Sequence, residues 1–245
     1  MAGLDKVKSS IKDKKELDYF LTHQERYKYV LKKIEQLNLP AGGRILDIGC
    51  YPPHMFRVLE ERGYEVWGVA SKHEPVKDKN VVSLNLETEK FPFKDQFFDL
   101  ILFSEVIEHL IVDPHLYLPK FKKLLKKEGV FLITTPNAAH LKNRMKLLLG
   151  KSPSFSLQQL YETRPSDDSL YYRHNREFTG LELQQIIKDC GFKIAGFEFF
   201  SAYTPFREKS QQEKIAVKLV KIVGFLITQI FPKLRDSQYL LASTK

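Results

Sequence analysis

The sequence predicts an α/β fold in which helices cover both faces of a doubly wound, mostly parallel sheet. Short apolar runs alternate with helical stretches along most of the 245 residues. This alternation is typical of parallel sheets, because the crossover from one parallel strand to the next usually contains a helix. Seven runs predict strands, at residues 44–49, 64–70, 81–84, 99–103, 129–134, 192–200 and 238–242.

Apolar residues at helical spacing predict the helices that connect these strands. They cover residues 22–37, 53–62, 114–127 and 179–190. Thr179 is the predicted N-cap of the last of these, and Gly191 stands just past its end. In a sheet of this kind ligands bind beyond the carboxyl ends of the strands, so the loops after the first four strands are the expected site.

The composition excludes several classes of protein. Hydrophobic residues make up 43% of the chain, which is enough for a full core and excludes a wholly disordered protein. The net charge of +9 suits anionic partners, but no motif that reads nucleic acid is present. Cys50 and Cys190 are too few for a disulfide scaffold or a cysteine-built zinc site, and we predict no metal site.

We expect a cytoplasmic protein, because the sequence shows neither a secretory signal nor a membrane-spanning run. Met1–Lys15 is rich in lysine and has no apolar stretch of the kind found in secretory signals. The longest apolar run, Ile222–Phe231, is well short of the ~20 residues that cross a bilayer. Peripheral contact with a membrane remains open.

Five stretches of the chain form an ordered set of motifs. The first is the loop Asp47-Ile48-Gly49-Cys50-Tyr51-Pro52-Pro53, in which an acidic residue near the end of a strand is followed by glycine. The others follow in order at residues 65–70, 85–101, 104–110 and 124–137. Together these stretches resemble class I S-adenosylmethionine-dependent methyltransferases. The resemblance covers about residues 20–203, and the nearest subgroup is the small-molecule O-methyltransferases of quinone and glycan biosynthesis.

The resemblance implies one methyltransferase domain over residues 1–245, with a Rossmann-like seven-stranded sheet and S-adenosylmethionine as cofactor. Residues 1–40 would form an N-terminal helical lid, and residues 137–178 an insertion on the acceptor side. A basic, apolar helix is expected within residues 207–235, between the last two strands.

The residue chemistry supports binding of this cofactor. Gly49 permits a tight turn and close approach of the backbone, and the N–H groups that open the next helix could hold the methionyl carboxylate. Asp47 would take the amino group, and the amide oxygen of Asn85 would accept from the adenine amine. The predicted cofactor-binding residues are Asp47, Gly49, Cys50, Tyr51, Ala70, Ser71, Asn85, Leu86, Ser104 and Glu105.

Two departures from the family pattern leave a second function open. Tyr51 and Pro53 replace the further glycines of the first loop, and Pro52 and Pro53 have no N–H to donate. Ala70 stands where the family has the acidic residue that binds the ribose, although Glu74 could reach back. The alternative is therefore a methyltransferase-like binding module with weak or no catalysis. A nicotinamide-dependent oxidoreductase is not expected, because the Gly-x-Gly-x-x-Gly loop is absent.

Methyl transfer needs few catalytic groups, because the sulfonium already activates the methyl and alignment supplies most of the effect. The acceptor hydroxyl needs at most a base, for which the candidates are Glu108, His109 and His174. We predict methylation, at oxygen, of a small-molecule, glycan or lipid-linked acceptor.

Residues Glu213–Phe231 predict a broad apolar helix with lysines at 214, 218 and 221. Such a helix can pack on its own domain, form the face of a homodimer, or lie on an acidic lipid surface. The sequence leaves these three roles open.

Overall fold

Seven strands form one sheet in the computed structural model, which describes residues 2–72, 78–154, 156–162, 173–203 and 215–244. The strands are β1 (Arg44–Ile48), β2 (Glu65–Ala70), β3 (Val81–Ser83), β4 (Phe98–Ser104), β5 (Leu125–Pro136), β6 (Lys193–Phe200) and β7 (Ser237–Ser243). Their spatial order is β3-β2-β1-β4-β5-β7-β6. The first five strands are parallel, and β7 runs antiparallel to both β5 and β6. The predicted fold class is confirmed.

Helices cover both faces of this sheet. They are α1 (Ala2–Ser10), α2 (Lys14–Gln36), α3 (His54–Glu61), α4 (Leu118–Leu124), α5 (Leu141–Leu148), α6 (Leu157–Glu162), α7 (Gly180–Asp189) and α8 (Ile215–Ile230). One buried cluster joins α1, α2 and α3 to Ile45 of β1, and the other joins α4 and α7 to Leu46 of the same strand. Adjacent residues of β1 thus face opposite cores, as the alternation of side chains along a strand requires.

The ends of two helices differ from their predicted positions. Helix α2 begins at Lys14, because the side chain of Asp13 accepts the N–H of Glu16 at 2.8 Å and caps the helix there. Helix α4 ends at Leu124, so the predicted helix over 114–127 is too long. Leu125 pairs with Phe98 of β4 instead, and Nζ of Lys126 lies 2.8 Å from both carboxylate oxygens of Asp99. These contacts extend β5 at the expense of the helix.

The capping residues of α7 are confirmed. The hydroxyl of Thr179 accepts the N–H of Glu182, and the Glu182 carboxylate accepts the N–H of Thr179. Gly191 has a φ of +82° and follows the end of the helix.

The other predicted segments are only partly described. Helices α1 and α2 lie within residues 1–40, and α5 and α6 lie within residues 137–178. Their roles as lid and acceptor-side insertion stay predictions. Glu74 and Lys214, and the side chain of Lys218, lie outside the described residues. Among the residues that are described, no helix combines the length and the apolar character needed to cross a bilayer.

Candidate active site

The loop after β1 makes a tight turn with a single free donor. Gly49 has a φ of +80°, and the N–H groups of Gly49 and Cys50 both donate to the carbonyl of Val69, at 2.8 and 3.1 Å. Pro52 and Pro53 have no N–H. Within residues 49–53, all of which are described, the N–H of Tyr51 alone has no acceptor. The loop can therefore offer one backbone donor to an anionic group.

This loop lies directly against the segment that follows β4. A Cβ atom built on Gly49 would stand 2.4 Å from Cγ2 of Val106, which is far inside a normal contact distance. Only glycine fits here, both because of the positive φ and because of this close approach. The loop after β1 and the segment after β4 are thus in direct contact.

Asp47 lies near the end of β1 and has a buried carboxylate. The residue is 4% exposed, and no hydrogen bond to its side chain is present among the described residues. Burial raises the pKa of the carboxyl to about 7. A cationic group placed beside it would stabilise the ionised form, which fits the predicted contact with the amino group of the cofactor.

Two predicted cofactor residues have side chains in the core. The side chains of Cys50 and Ala70 are buried in the cluster that packs α1, α2 and α3 on the sheet. The Cys50 sulfur sits over Gly68, and the Ala70 carbonyl accepts the N–H of Leu84 at 3.0 Å. The side chains of Cys50 and Ala70 therefore face this core, and the predicted contacts of these two residues with the cofactor stay predictions.

Asn85 shapes a turn rather than facing outward. Its amide oxygen accepts the N–H groups of Glu87 and Thr88, at 2.9 and 3.2 Å. Both lone pairs are used within the turn, so the structure contradicts the prediction that this oxygen accepts from adenine. Leu86 is partly buried against the core, and Ser71 is partly buried at the end of β2, so their predicted contacts with the cofactor stay predictions.

Two glutamates that sequence reasoning missed hold this side of the site in place. One carboxylate oxygen of Glu87 accepts the N–H groups of both Ile111 and Val112 at 2.7 Å. Glu89 accepts the N–H of Asn85 at 2.8 Å and forms an ion pair with Lys72. The loops after β2, β3 and β4 are thereby tied together.

Ser104 and Glu105 stand at the end of β4. The Ser104 hydroxyl is hydrogen-bonded to the hydroxyl of Thr134 at 2.7 Å, and the Glu105 N–H donates to the Thr134 carbonyl at 2.8 Å. An oxygen of the Glu105 carboxylate lies 3.1 Å from Nη1 of Arg26 on α2, and these two side chains are only 15% and 11% exposed. The predicted contact of Ser104 and Glu105 with the cofactor stays a prediction, and Arg26 is an addition that the sequence did not indicate.

The three predicted catalytic residues come together just beyond this ion pair. Glu108, His109 and His174 each offer one ligand-type atom, and these atoms lie within 4.8 Å of one another. Glu108 is fully buried, and one of its carboxylate oxygens accepts the Thr135 hydroxyl at 2.8 Å. The other oxygen has no hydrogen-bond partner among the described residues. Burial, followed by the charge of Glu105, raises the pKa of Glu108 to about 8.

Hydrogen bonds orient both imidazoles in this cluster. Nδ1 of His109 lies 3.0 Å from the carbonyl of Arg173, so Nδ1 is the protonated donor, and Nε2 lies 3.9 Å from the Glu108 carboxylate. Nδ1 of His174 lies 2.8 Å from the carboxylate of Glu177, and this hydrogen bond raises the pKa of His174. In the neutral form of each ring, Nε2 carries the lone pair that can accept a proton or bind a metal.

The cluster fits a divalent metal ion, although no metal site was predicted. Two imidazoles and one carboxylate are a common ligand set for a catalytic ion, and they leave positions open for a substrate oxygen. The oxygen of Glu108 without a hydrogen-bond partner and the hydrogen bonds that fix both rings suit such a role. The sequence concealed the set because His174 lies far along the chain from Glu108 and His109.

Comparisons with known proteins agree with this architecture. The family model for the methyltransferase domain matches residues 21–195. A ubiquinone biosynthesis O-methyltransferase of Bradyrhizobium diazoefficiens is 29% identical over 114 residues, which are 43% of this chain and 45% of the relative. The chain thus matches less than half the length of that relative.

Solved structures share the fold at low sequence identity. A SAM-dependent methyltransferase from Archaeoglobus fulgidus has a TM-score of 0.57 at 18% identity, covering 92% of this chain and 99% of the other. A geranyl diphosphate C-methyltransferase from Streptomyces coelicolor has a TM-score of 0.58 at 13% identity, covering 91% and 79%. The family resemblance and the fold class predicted from the sequence are confirmed, and the chain belongs to the methyltransferase-domain family.

Proposed function

We propose that this chain transfers the methyl group of S-adenosylmethionine to a hydroxyl oxygen of a small organic acceptor, assisted by a divalent metal ion. The observation that carries this proposal is the cluster of Glu108, His109 and His174. Glu108 and His109 follow closely after Val106, which packs against Gly49. Groups that activate a hydroxyl therefore lie next to the loop that would hold the cofactor.

The cofactor side would bind both charged groups of the methionyl moiety. Asp47 is a buried carboxylate without a hydrogen-bond partner in the described part of the chain, so an ammonium group can pair with its ionised form. The free N–H of Tyr51 can donate to the carboxylate of the cofactor. These contacts fix one end of the cofactor and so align its methyl group for in-line attack.

The acceptor side would hold the metal through Glu108, His109 and His174. When bound, a divalent ion would lower the pKa of an acceptor hydroxyl, which would lose its proton to solvent. The oxygen would then bond to the methyl carbon as the carbon–sulfur bond breaks and S-adenosylhomocysteine leaves. Thr135 orients the Glu108 carboxylate, and the Arg173 carbonyl and Glu177 orient the two imidazoles. In the absence of a metal, Nε2 of His109 can itself accept the hydroxyl proton as a general base.

The proposed class of acceptor rests on the curated relatives. The curated relatives are named for O-methylation in ubiquinone biosynthesis, which supports an oxygen acceptor on a small organic molecule. A glycan or a lipid-linked molecule would present the same hydroxyl chemistry.

The test combines cofactor binding, metal binding and turnover on the full chain. S-adenosylhomocysteine binding is measured by calorimetry, Mn²⁺ and Zn²⁺ binding by equilibrium dialysis, and turnover by S-adenosylhomocysteine release with a panel of phenols and catechols. We expect turnover to disappear in EDTA and to return with added metal. His109→Ala and His174→Ala should lose metal binding and turnover but keep their affinity for S-adenosylhomocysteine.

The matched control is His115→Ala, because His115 is an exposed histidine whose one side-chain partner among the described residues is Asp113. It should change none of the three measurements. Turnover that survives EDTA but is lost in His109→Ala would assign the general-base role to His109 and would contradict the proposed role of a metal ion. Cofactor binding without turnover on any acceptor would favour the binding module instead.

A further inference from the structure

The chain places two apolar helices at the edge of the sheet that carries the candidate active site. Strand β5 ends at Pro136 and leads to α5, and β6 ends at Phe200 before α8. Both end residues pair with Ser237 of β7, so both connections leave the sheet at the same edge. This is the edge at which β1 and β4 end, beside Gly49 and Glu105.

The two helices contact each other. A Cβ atom built on Gly224 of α8 would stand 3.7 Å from Cδ2 of Leu141 in α5, which is an ordinary van der Waals distance. We call these helices, together with residues 149–151 and 231–235 that follow them, the apolar edge.

Large apolar side chains of the apolar edge are exposed to solvent. Leu148 is 79% exposed, and Val220 and Ile230 are each 72% exposed. Leu147, Leu149, Val223, Leu226 and Phe231 are also more than half exposed. Monomeric soluble proteins rarely expose so many large apolar groups together, and a patch of this kind marks an interaction surface.

The charges of the apolar edge have a single sign. Residues 141–151 and 215–235 contain Lys142, Arg144, Lys146, Lys151, Lys218, Lys221, Lys233 and Arg235, and they contain no aspartate or glutamate. Of these, Lys142, Arg144, Lys151 and Lys233 are exposed, whereas Arg235 donates inward to the carbonyls of Phe199 and Thr228. An exposed apolar surface flanked only by cations complements an anionic lipid surface.

The same charge pattern opposes two other occupants. A second copy of this chain docked on the same face would bring cations of like sign together, which disfavours a symmetric contact. A nucleic acid would satisfy the lysines but would leave the exposed apolar side chains uncovered by any apolar partner.

We propose that the apolar edge adsorbs onto an anionic membrane surface, with the apolar side chains of α5 and α8 in the interfacial region and the lysines among the lipid head groups. The open edge of the active site then faces the bilayer. An acceptor dissolved in the membrane would reach the site from the lipid side, and this last step rests on the proposed function.

Co-sedimentation of the full chain with vesicles tests the proposal without any need for methyl transfer. The vesicles are phosphatidylcholine alone, or equimolar phosphatidylcholine and phosphatidylglycerol, each at low and high salt. We expect binding to the anionic vesicles only, and its loss at high salt. Leu148→Ser combined with Val220→Ser should weaken binding while leaving S-adenosylhomocysteine affinity unchanged.

A pair of charge variants separates the apolar edge from the net charge. Lys142→Glu with Lys151→Glu should lower the partition coefficient of the protein onto anionic vesicles about thirtyfold or more. The matched control is Lys123→Glu with Lys127→Glu, which changes the net charge equally, and its two exposed lysines flank the start of β5 at the opposite edge of the sheet. The control should bind nearly as well as the wild type.

Three results would overturn the proposal. They are an absence of binding to anionic vesicles at low salt, an equal loss in both charge variants, and a dimer in light scattering that the Leu148→Ser, Val220→Ser variant abolishes. Failure of vesicle binding would leave the proposed methyl transfer untouched, and failure of turnover would leave the vesicle result intact. The two proposals therefore fail separately.

Discussion

The two halves of the candidate site differ sharply in chemistry. The cofactor half, formed by the loops after β1, β2 and β3, offers one unpaired carboxylate on Asp47 and one free N–H on Tyr51. The acceptor half, formed by residues 104–110 and 173–179, groups Glu105, Glu108, His109 and His174. Under the proposed function, backbone shape would dominate cofactor binding, whereas ionisable side chains would dominate the chemistry at the acceptor.

The largest effect should come from breaking the backbone shape of the cofactor half. Gly49→Val places a branched side chain at a φ of +80° and against Cγ2 of Val106. We expect S-adenosylhomocysteine binding to be lost in calorimetry, because the added side chain fits only if the loop moves away from Val106.

Gly42→Val is the matched control for this substitution. Gly42 also has a positive φ, of +66°, but nothing lies within 4 Å of a Cβ atom built there. It should lose some stability and keep its affinity. Equal affinity of the Gly49→Val variant and the wild type would remove the cofactor from this loop.

A second substitution tests whether the acceptor half depends on its buried ion pair. Arg26→Met would leave the Glu105 carboxylate buried and unpaired near Glu108. Breaking one side of a buried pair costs about 3–5 kcal/mol, so urea denaturation should show a large drop in the free energy of unfolding. Lys6→Met, which breaks the exposed pair with Glu61, should cost less than about 1 kcal/mol. Similar losses in the two variants would show that Arg26 does not stabilise this half.

The smallest effect concerns the pH dependence of cofactor binding at Asp47. Because the pKa of this carboxyl is raised to about 7, it is largely protonated at pH 6 in the free protein. A cofactor ammonium pairs with the ionised form, so binding below pH 7 must release a proton. We expect affinity for S-adenosylhomocysteine to fall by up to about tenfold per pH unit between pH 7 and pH 5.

Stability without cofactor should change in the opposite direction. The folded chain keeps a proton on Asp47 that the unfolded chain has lost between about pH 4 and pH 7, so the free energy of unfolding falls as pH rises through this window. Asp47→Asn should flatten the contribution of this group to both profiles. Calorimetric affinities that stay pH-dependent to the same extent in Asp47→Asn would assign the proton to another group.

The sequence was a good guide where one periodicity dominates and a poor one where two elements compete. The strands of the core were found because each is an apolar run between clear breaks. The end of α4 was misplaced because Leu124 and Leu125 fit a helix and a strand equally well, and only the pairing of Leu125 with Phe98 decides between them. The start of α2 was missed although Asp13 and Glu16 carry the spacing of a cap.

The site was predictable in residue type and less so in orientation. The grouping of Glu108 and His109 with His174 depends on a contact between distant parts of the chain, which spacing alone does not reveal. The positions of Asn85 and Cys50 after strands predict contacts with the cofactor. The Asn85 side chain instead bonds within its own turn, and the Cys50 side chain packs in the core. The sequence alone does not indicate either orientation.

The connection between β6 and β7 is much longer than the sheet requires. Neighbouring antiparallel strands can be joined by a turn of two residues, yet this chain uses residues 201–236 and builds α8 there. The seven strands would keep their order and their pairing with a short hairpin in its place. We infer that this segment can be exchanged in a chain of this fold, and with it the docking surface proposed above, while the ends of β1 and β4 stay unchanged.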